Sequence, residues 1–221
     1  MPERFGAPSP LFLVLEGGEG AGKTTQVERL ATWLRHRAWG VTTAREPGGT
    51  QVGESIRSLL LQGDDVHIPP RSELFLMLAA RAAFVDEVVA PALQRGEMVL
   101  ADRFDLSTFA YQGFGRGLPL PEVREANRLA VGAVVPDLYL VLDVPVAVGQ
   151  ERQRAEGKGL DRMEREGAAF LETVGKGYWE LTASEPRACR IPAGGSPDDV
   201  HLRIVQALEE RFPETFPTGK G

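Results

Sequence analysis

A single cysteine, Cys189, stands in 221 residues, which excludes an intramolecular disulfide and suits a reducing, cytoplasmic setting. Within the short apolar stretch Ala188–Ile191 it reads as a small core residue, not a nucleophile. Basic charge is also scarce: 25 Lys and Arg against 31 Asp and Glu leave a net charge of −6. Binding along a nucleic-acid backbone needs a basic face, so no nucleic-acid partner is expected. A small polyanion is a different matter, because a few local arginines decide its binding. Long apolar runs are missing too. The longest, Leu74 to Val85, is interrupted by Arg81 and falls short of the ~18 residues read as a membrane span. The opening MPERFGAPSP carries no apolar segment of the kind that marks a secretory signal. Three histidines, His36, His67 and His201, are too scattered for metal-ligand spacing.

What is present alternates between two periodicities. LFLVLE (Leu11–Glu16) is a continuous apolar run closed by glycines, the pattern of a strand buried on both faces. Val41–Arg45, Met98–Ala101, Leu138–Asp143 and Ala188–Ile191 read as further strands. Helices are expected over Gly22–Arg37, Val52–Leu61, Arg71–Gln94 with a kink at Pro91, Pro121–Val131, Val146–Arg154, Arg162–Ser184 and Asp198–Arg211, with a helical stretch after Asp102. Strands separated by helices pair in parallel through right-handed crossovers. The expectation is one α/β domain, a doubly wound five-stranded parallel sheet flanked by helices, with its core over residues 11–212. The Pro- and Gly-containing ends, 1–9 and 213–221, are expected to be disordered.

Gly17-Gly18-Glu19-Gly20-Ala21-Gly22-Lys23-Thr24 matches G-x-x-x-x-G-K-[ST] between a strand and a helix, the context this phosphate loop requires. Glycines let successive backbone N–H groups turn onto a polyphosphate, and the helix N-terminus adds donors and positive dipole. Lys23 reaches the β- and γ-oxygens, and the Thr24 hydroxyl ligates Mg²⁺. Thr25 completes the candidate nucleotide-binding set. The motif fits ATPases, GTPases and kinases alike; no N/T-K-x-D motif for reading guanine follows it.

EGGEGAGKTT, AREPGGT and DRFDLSTFAYQGFGRG, in that order and spacing, resemble the bacterial thymidylate kinase family over Leu11 to Phe212. The resemblance implies a P-loop NTPase fold, with ATP and Mg²⁺ as cofactors, dTMP as the small-molecule substrate, dTDP as the product and a homodimeric assembly. Other deoxynucleotide or nucleoside kinases, or a regulatory P-loop NTPase, are the alternatives. By this resemblance Arg103 contacts the acceptor phosphate, Glu46 and Arg57 hold the sugar and monophosphate, and Arg81 reaches thymine O4. Thr108 and Gln112 lie near the N3–H and O2 edge of the base, and Glu19 lies near the sugar 3′ position. Asp102, at the carboxyl end of a buried strand where open α/β sheets bind ligands, holds Mg²⁺ with Thr24. The dimer interface is expected on the helices at Arg71–Gln94 and Asp102–Gly113.

The variable loop positions, Gly18, Glu19, Gly20 and Ala21, supply no cation for the transferring group. The Gly-containing charged segment Arg152–Arg162 is therefore expected to act as a short mobile lid over 152–163, with Arg152 and Arg154 as its catalytic arginines. Two positions depart from the family. Glu156 stands where a third lid arginine is common, with Lys158 nearby. Met77 stands where a phenylalanine stacks on the pyrimidine, and it is expected to cover the base.

Overall fold

The computed structural model describes residues 9–62, 67–155, 157 and 162–217. Five strands, β1 Phe12–Gly17, β2 Val41–Arg45, β3 Met98–Asp102, β4 Leu138–Asp143 and β5 Ala188–Pro192, form one sheet in the order β2-β3-β1-β4-β5. Every pairing is parallel, as continuous apolar strands joined by helices demand. β1 is buried along its whole length because it lies at the centre, between β3 and β4.

The pleat splits the strand side chains between two cores. Leu13, Leu15, Leu100 and Leu140 face α1 (Lys23–His36) and α9 (Pro197–Arg211). Phe12, Val14, Val99 and Val141 face the opposite way, towards α3 (Pro70–Phe84) and α8 (Ala168–Ser184). The remaining helices are α2 (Gln51–Gln62), α4 (Ala90–Gln94), α5 (Asp105–Thr108), α6 (Leu120–Val131) and α7 (Val146–Ala155). No helix among the described residues is long and apolar enough to cross a membrane.

Several expectations give way to local chemistry. The long helix from Arg71 does not kink at Pro91 itself: it widens into a π segment at Val85–Val89, just before α4. Pro91 lacks an N–H and its ring crowds the carbonyl four residues back, and an i→i+5 turn relieves that crowding. A second π segment, Phe109–Gly115, follows α5. The helix expected from Arg162 begins only at Ala168, after a 3-10 turn at Glu164–Glu166, because Gly167 takes φ 91°. The tail expected to be disordered returns to the core at Phe216, which is buried with its ring 5.3 Å from that of Trp33. Residues 1–8 and 218–221 lie outside the described residues. Residues 106–113 are all buried inside the chain, so they are not available for the dimer contact expected of them.

Candidate active site

The phosphate loop is clamped between β4 and α7. Gly17 has φ 134°, and a Cβ there would stand 2.4 Å from the Leu142 carbonyl oxygen. A Cβ on Gly20 would stand 2.1 Å from the carbonyl oxygen of Gly149 in α7. Only glycine tolerates either approach. Lys23, the first residue of α1, is buried and donates from Nζ to the carbonyls of Gly18 at 2.8 Å and Gly17 at 3.2 Å. Burial, helped by the charge of Arg103, holds the Lys23 pKa below its ordinary value against the pull of Glu19 and Asp102. The Thr24 hydroxyl donates to Asp102 Oδ2 at 2.6 Å, joining the loop to the end of β3. Ala21 is buried beneath the loop, and Thr25 is exposed on α1.

Arg103 adopts φ 75°, a left-handed conformation that a side chain resists at a cost of order 1–3 kcal/mol. The turn is held from both sides. Arg103 N–H donates to Leu15 O at 2.9 Å, and the next amide, Phe104 N–H, donates to Glu16 Oε1 at 2.8 Å. The guanidinium then points back across the loop. Nη1 donates to Gly17 O at 3.0 Å, Tyr178 OH at 3.1 Å and Ser107 Oγ at 3.2 Å, and Nη2 pairs with Glu19. The Tyr111 hydroxyl donates to the same Glu19 oxygen at 3.0 Å. Burial alone would raise the Glu19 pKa, but Arg103, Lys23 and the Tyr111 hydrogen bond outweigh it and hold the carboxylate ionised.

Beside this pair opens a cavity lined by Glu19, Glu46, Arg57, Met77, Arg81, Arg103, Thr108, Tyr111, Gln112 and Met163, among others. All seven residues that the sequence assigned to the acceptor substrate meet here, from three separate stretches of chain. Arg57 Nη1 donates to Pro47 O at 2.9 Å. Arg81 is buried with every N–H engaged. Nε and Nη2 donate to Glu46 Oε2 at 2.9 and 2.7 Å, Nη2 also to Phe104 O at 2.9 Å, and Nη1 to Thr108 Oγ1 at 2.8 Å and Asn127 Oδ1 at 2.9 Å. A base carbonyl entering at Arg81 must therefore share the Nη1 bonds or displace one. Burial pushes the Glu46 pKa up to about 7 even with Arg81 beside it, and Glu46 Oε1 has no partner. Phe84 is fully buried in the core, so half-buried Met77 is the apolar cover this helix offers the cavity.

The arginines expected of a lid separate. Arg152, on α7, donates to Ala193 O at 3.1 Å and Gly20 O at 3.4 Å, beside the phosphate loop. Arg154 is exposed on the last turn of α7. Arg162 turns to the other cavity, donating to Leu60 O at 2.7 Å and Glu73 Oε2 at 2.5 Å. Lys158 and Glu156 lie outside the described residues.

Two buried carboxylates went unread in the sequence. Glu16 takes Phe104 N–H, the Ser107 amide and hydroxyl, and Tyr178 OH. Glu73 takes Gln112, Arg116 and Arg162. Each stands next to or within an apolar run, and a charge in that position needs partners when buried. That was the available signal; the partners themselves are distant in sequence.

The family model described as thymidylate kinase matches residues 15–204. Among curated proteins, the thymidylate kinase of Synechococcus sp. (strain JA-2-3B'a(2-13)) is 47% identical over 204 residues, covering 92% of this chain and 96% of its own. That of Desulforudis audaxviator is 48% identical over 212 residues, covering 92% and 94%. Among solved structures, thymidylate kinase from Ehrlichia chaffeensis superposes with a TM-score of 0.73 at 30% identity, over 91% of this chain and 99% of that one. With the phosphate loop, the Asp102–Arg103 turn and the arginine-lined cavity in one continuous site, the chain belongs to the thymidylate kinase family.

Proposed function

We propose that this chain carries the γ-phosphoryl of ATP to the 5′-phosphate of dTMP, giving dTDP and ADP for dTTP synthesis. The reaction is phosphotransfer. The observation that carries the reading is the place of Arg103: one guanidinium bonded to the phosphate loop at Gly17 O and also lining the cavity that holds Arg57 and Arg81. A nucleoside kinase has no need of a second anion site there, and a phosphorylated acceptor does.

The cradle for ATP is the backbone of Gly17–Lys23, with Lys23 released from the Gly17 and Gly18 carbonyls onto the β- and γ-oxygens. Thr24 and Asp102 offer adjacent hard oxygens, and these two residues would hold Mg²⁺. When bound, the ion neutralises charge on the polyphosphate. Arg103 exchanges its ion pair with Glu19 for the acceptor phosphate, and a planar fork suits that dianion better than a point charge does. Glu19, freed from the guanidinium, keeps Tyr111 and faces the sugar. Glu46 with its unpartnered Oε1, Arg57, Met77, Arg81, Thr108 and Gln112 line the place of the nucleoside. Arg152, next to the loop, supplies charge to the transferring group, with Arg154 on the turn behind it. A homodimer through α3 is supported by Phe75, a large apolar side chain 63% exposed there, which a partner would cover.

The test is a coupled assay for ADP release with dTMP, dUMP, dCMP, dGMP and thymidine in turn. dTMP is expected to give the highest kcat/KM and thymidine none. Rates independent of acceptor, or preference for thymidine, would overturn the reading.

A further inference from the structure

Glu73 lies in the first turn of α3 and its side chain is completely buried. Its two oxygens accept from three side chains. Oε1 takes Gln112 Nε2 at 2.9 Å and Arg116 Nε at 3.1 Å; Oε2 takes Arg116 Nη2 at 3.1 Å and Arg162 Nη2 at 2.5 Å. Burial disfavours its charge, yet the hydrogen bonds from Arg116, Gln112 and Arg162 outweigh that and hold its pKa below the ordinary carboxylate value. Nothing in the phosphoryl-transfer chemistry uses this group, and it touches a residue of the acceptor cavity directly.

The consequence lies in the direction of one amide. An ionised carboxylate only accepts hydrogen bonds, so Gln112 must turn its NH₂ end to Glu73. The other end, Oε1, is a pure acceptor, and Gln112 lines the cavity. Thymine and uracil carry a donor at N3; cytosine carries a bare lone pair there. A fixed acceptor pairs with the first and opposes the second, whereas an amide free to flip serves both. A site whose buried polar group is left unpaired by the wrong ligand discriminates far better than an apolar pocket.

We propose that Glu73 is a positioning residue for pyrimidine choice: it pins Gln112 with its acceptor towards the base, so that thymine- and uracil-type bases enter and cytosine-type bases do not. Arg116 and Arg162 serve this arrangement by keeping the carboxylate ionised. Arg162 also binds Leu60 O, and Met163, its neighbour, lines the same cavity. The lid's carboxyl end is thus fastened to the group that orients the base reader. The inference rests on the reading that dTMP occupies this cavity with its base at Gln112.

The experiment compares kcat/KM for dTMP and dCMP in wild type, Glu73→Gln and Glu73→Asp. In Glu73→Gln the partner can both donate and accept, so the Gln112 amide loses its fixed direction. The dTMP:dCMP ratio is expected to fall by about tenfold or more, chiefly through a raised KM for dTMP. Glu73→Asp keeps the charge but withdraws it by one methylene from Gln112, and the same loss of ratio is expected if the first variant does not fold. A role confined to holding the fold lowers both acceptors together; an unchanged ratio in the folded variants overturns the proposal. Gln112→Leu separates the two levels. If it leaves the ratio intact, the placement of the base has failed. If it collapses the ratio while the Glu73 variants do not, Glu73 alone has been misassigned.

Discussion

Arg103 pays for its position in backbone strain, and the compensation is visible: φ 75°, with Glu16 gripping the next amide and Tyr178 and Ser107 gripping the guanidinium. The turn sets the guanidinium between the phosphate loop at Gly17 and the cavity that Arg57 and Arg81 line. Arg103→Ala removes the fork and leaves Glu19 the Tyr111 hydrogen bond and the charges of Lys23 and Arg57. Loss of a preorganised donor to developing charge costs ~10²–10³ in rate, so kcat/KM for dTMP is expected to fall by at least about a hundredfold, measured by ADP release. Near wild-type turnover would remove Arg103 from the reaction. At Met77 the expectation runs the other way. A thioether on a ring is worth ~0.3–1.5 kcal/mol and an aromatic stack ~1–3 kcal/mol. Met77→Phe should tighten dTMP binding by about fivefold in calorimetry, the ~1 kcal/mol between those ranges; a flat or weakened affinity would place the base elsewhere.

At the scale of elements, the link between the phosphate loop and α7 is a contact between glycines, Gly20 and Gly149. A Cβ on Gly149 would stand 2.2 Å from the Glu19 carbonyl oxygen. Helix propensity alone favours Gly149→Ala by ~1 kcal/mol, but the neighbour is backbone and cannot rotate away, and overpacking costs ~1–3 kcal/mol. The variant is expected to melt lower than wild type and to show a smaller ATP-induced rise in melting temperature, because the displaced loop is the cradle itself. A higher melting temperature with the full ATP shift would show that α7 moves independently of the loop. The same elements mark what the sequence could carry. The five strands and the phosphate loop are legible because burial on both faces leaves a continuous apolar run ended by glycine, a local signal. The π segment at Val85–Val89 and the break at Gly167 are not, since an apolar stripe looks the same whether a helix turns at i+4 or i+5, and Gly167 is one glycine among 25. Phe216 is not legible among the Pro and Gly of the tail, because the ring it packs on, Trp33, lies at the other end of the chain. The candidate site divides in the same way. Residues whose role a motif names are legible; Glu16, although it opens EGGEGAGKTT, and Glu73 are not, because their partners lie 88 to 162 and 39 to 89 residues along the chain.

Across the whole molecule, the acceptor cavity imposes a pH dependence on folding. Glu46 is buried beside Arg81 with one oxygen unpartnered, and its pKa stands at about 7 against an ordinary 4.5, with burial as the leading cause and Arg81 opposing it. Between those values the folded chain holds a proton that the unfolded chain has lost, so its stability contribution is complete below the unfolded pKa and disappears as pH rises through the folded one. Other buried acids, Glu16 and Asp105, are raised by burial as well, and Glu19 and Glu73 are lowered, so the total profile mixes signs. The difference between wild type and Glu46→Gln isolates one group, because glutamine does not titrate. Chemical denaturation of both proteins from about pH 5 to about pH 7.5 is expected to show wild type losing stability relative to the variant as pH rises. The opposite slope would mean that the Arg81 ion pair, not burial, governs this carboxylate, and that Glu46 meets the nucleotide fully charged.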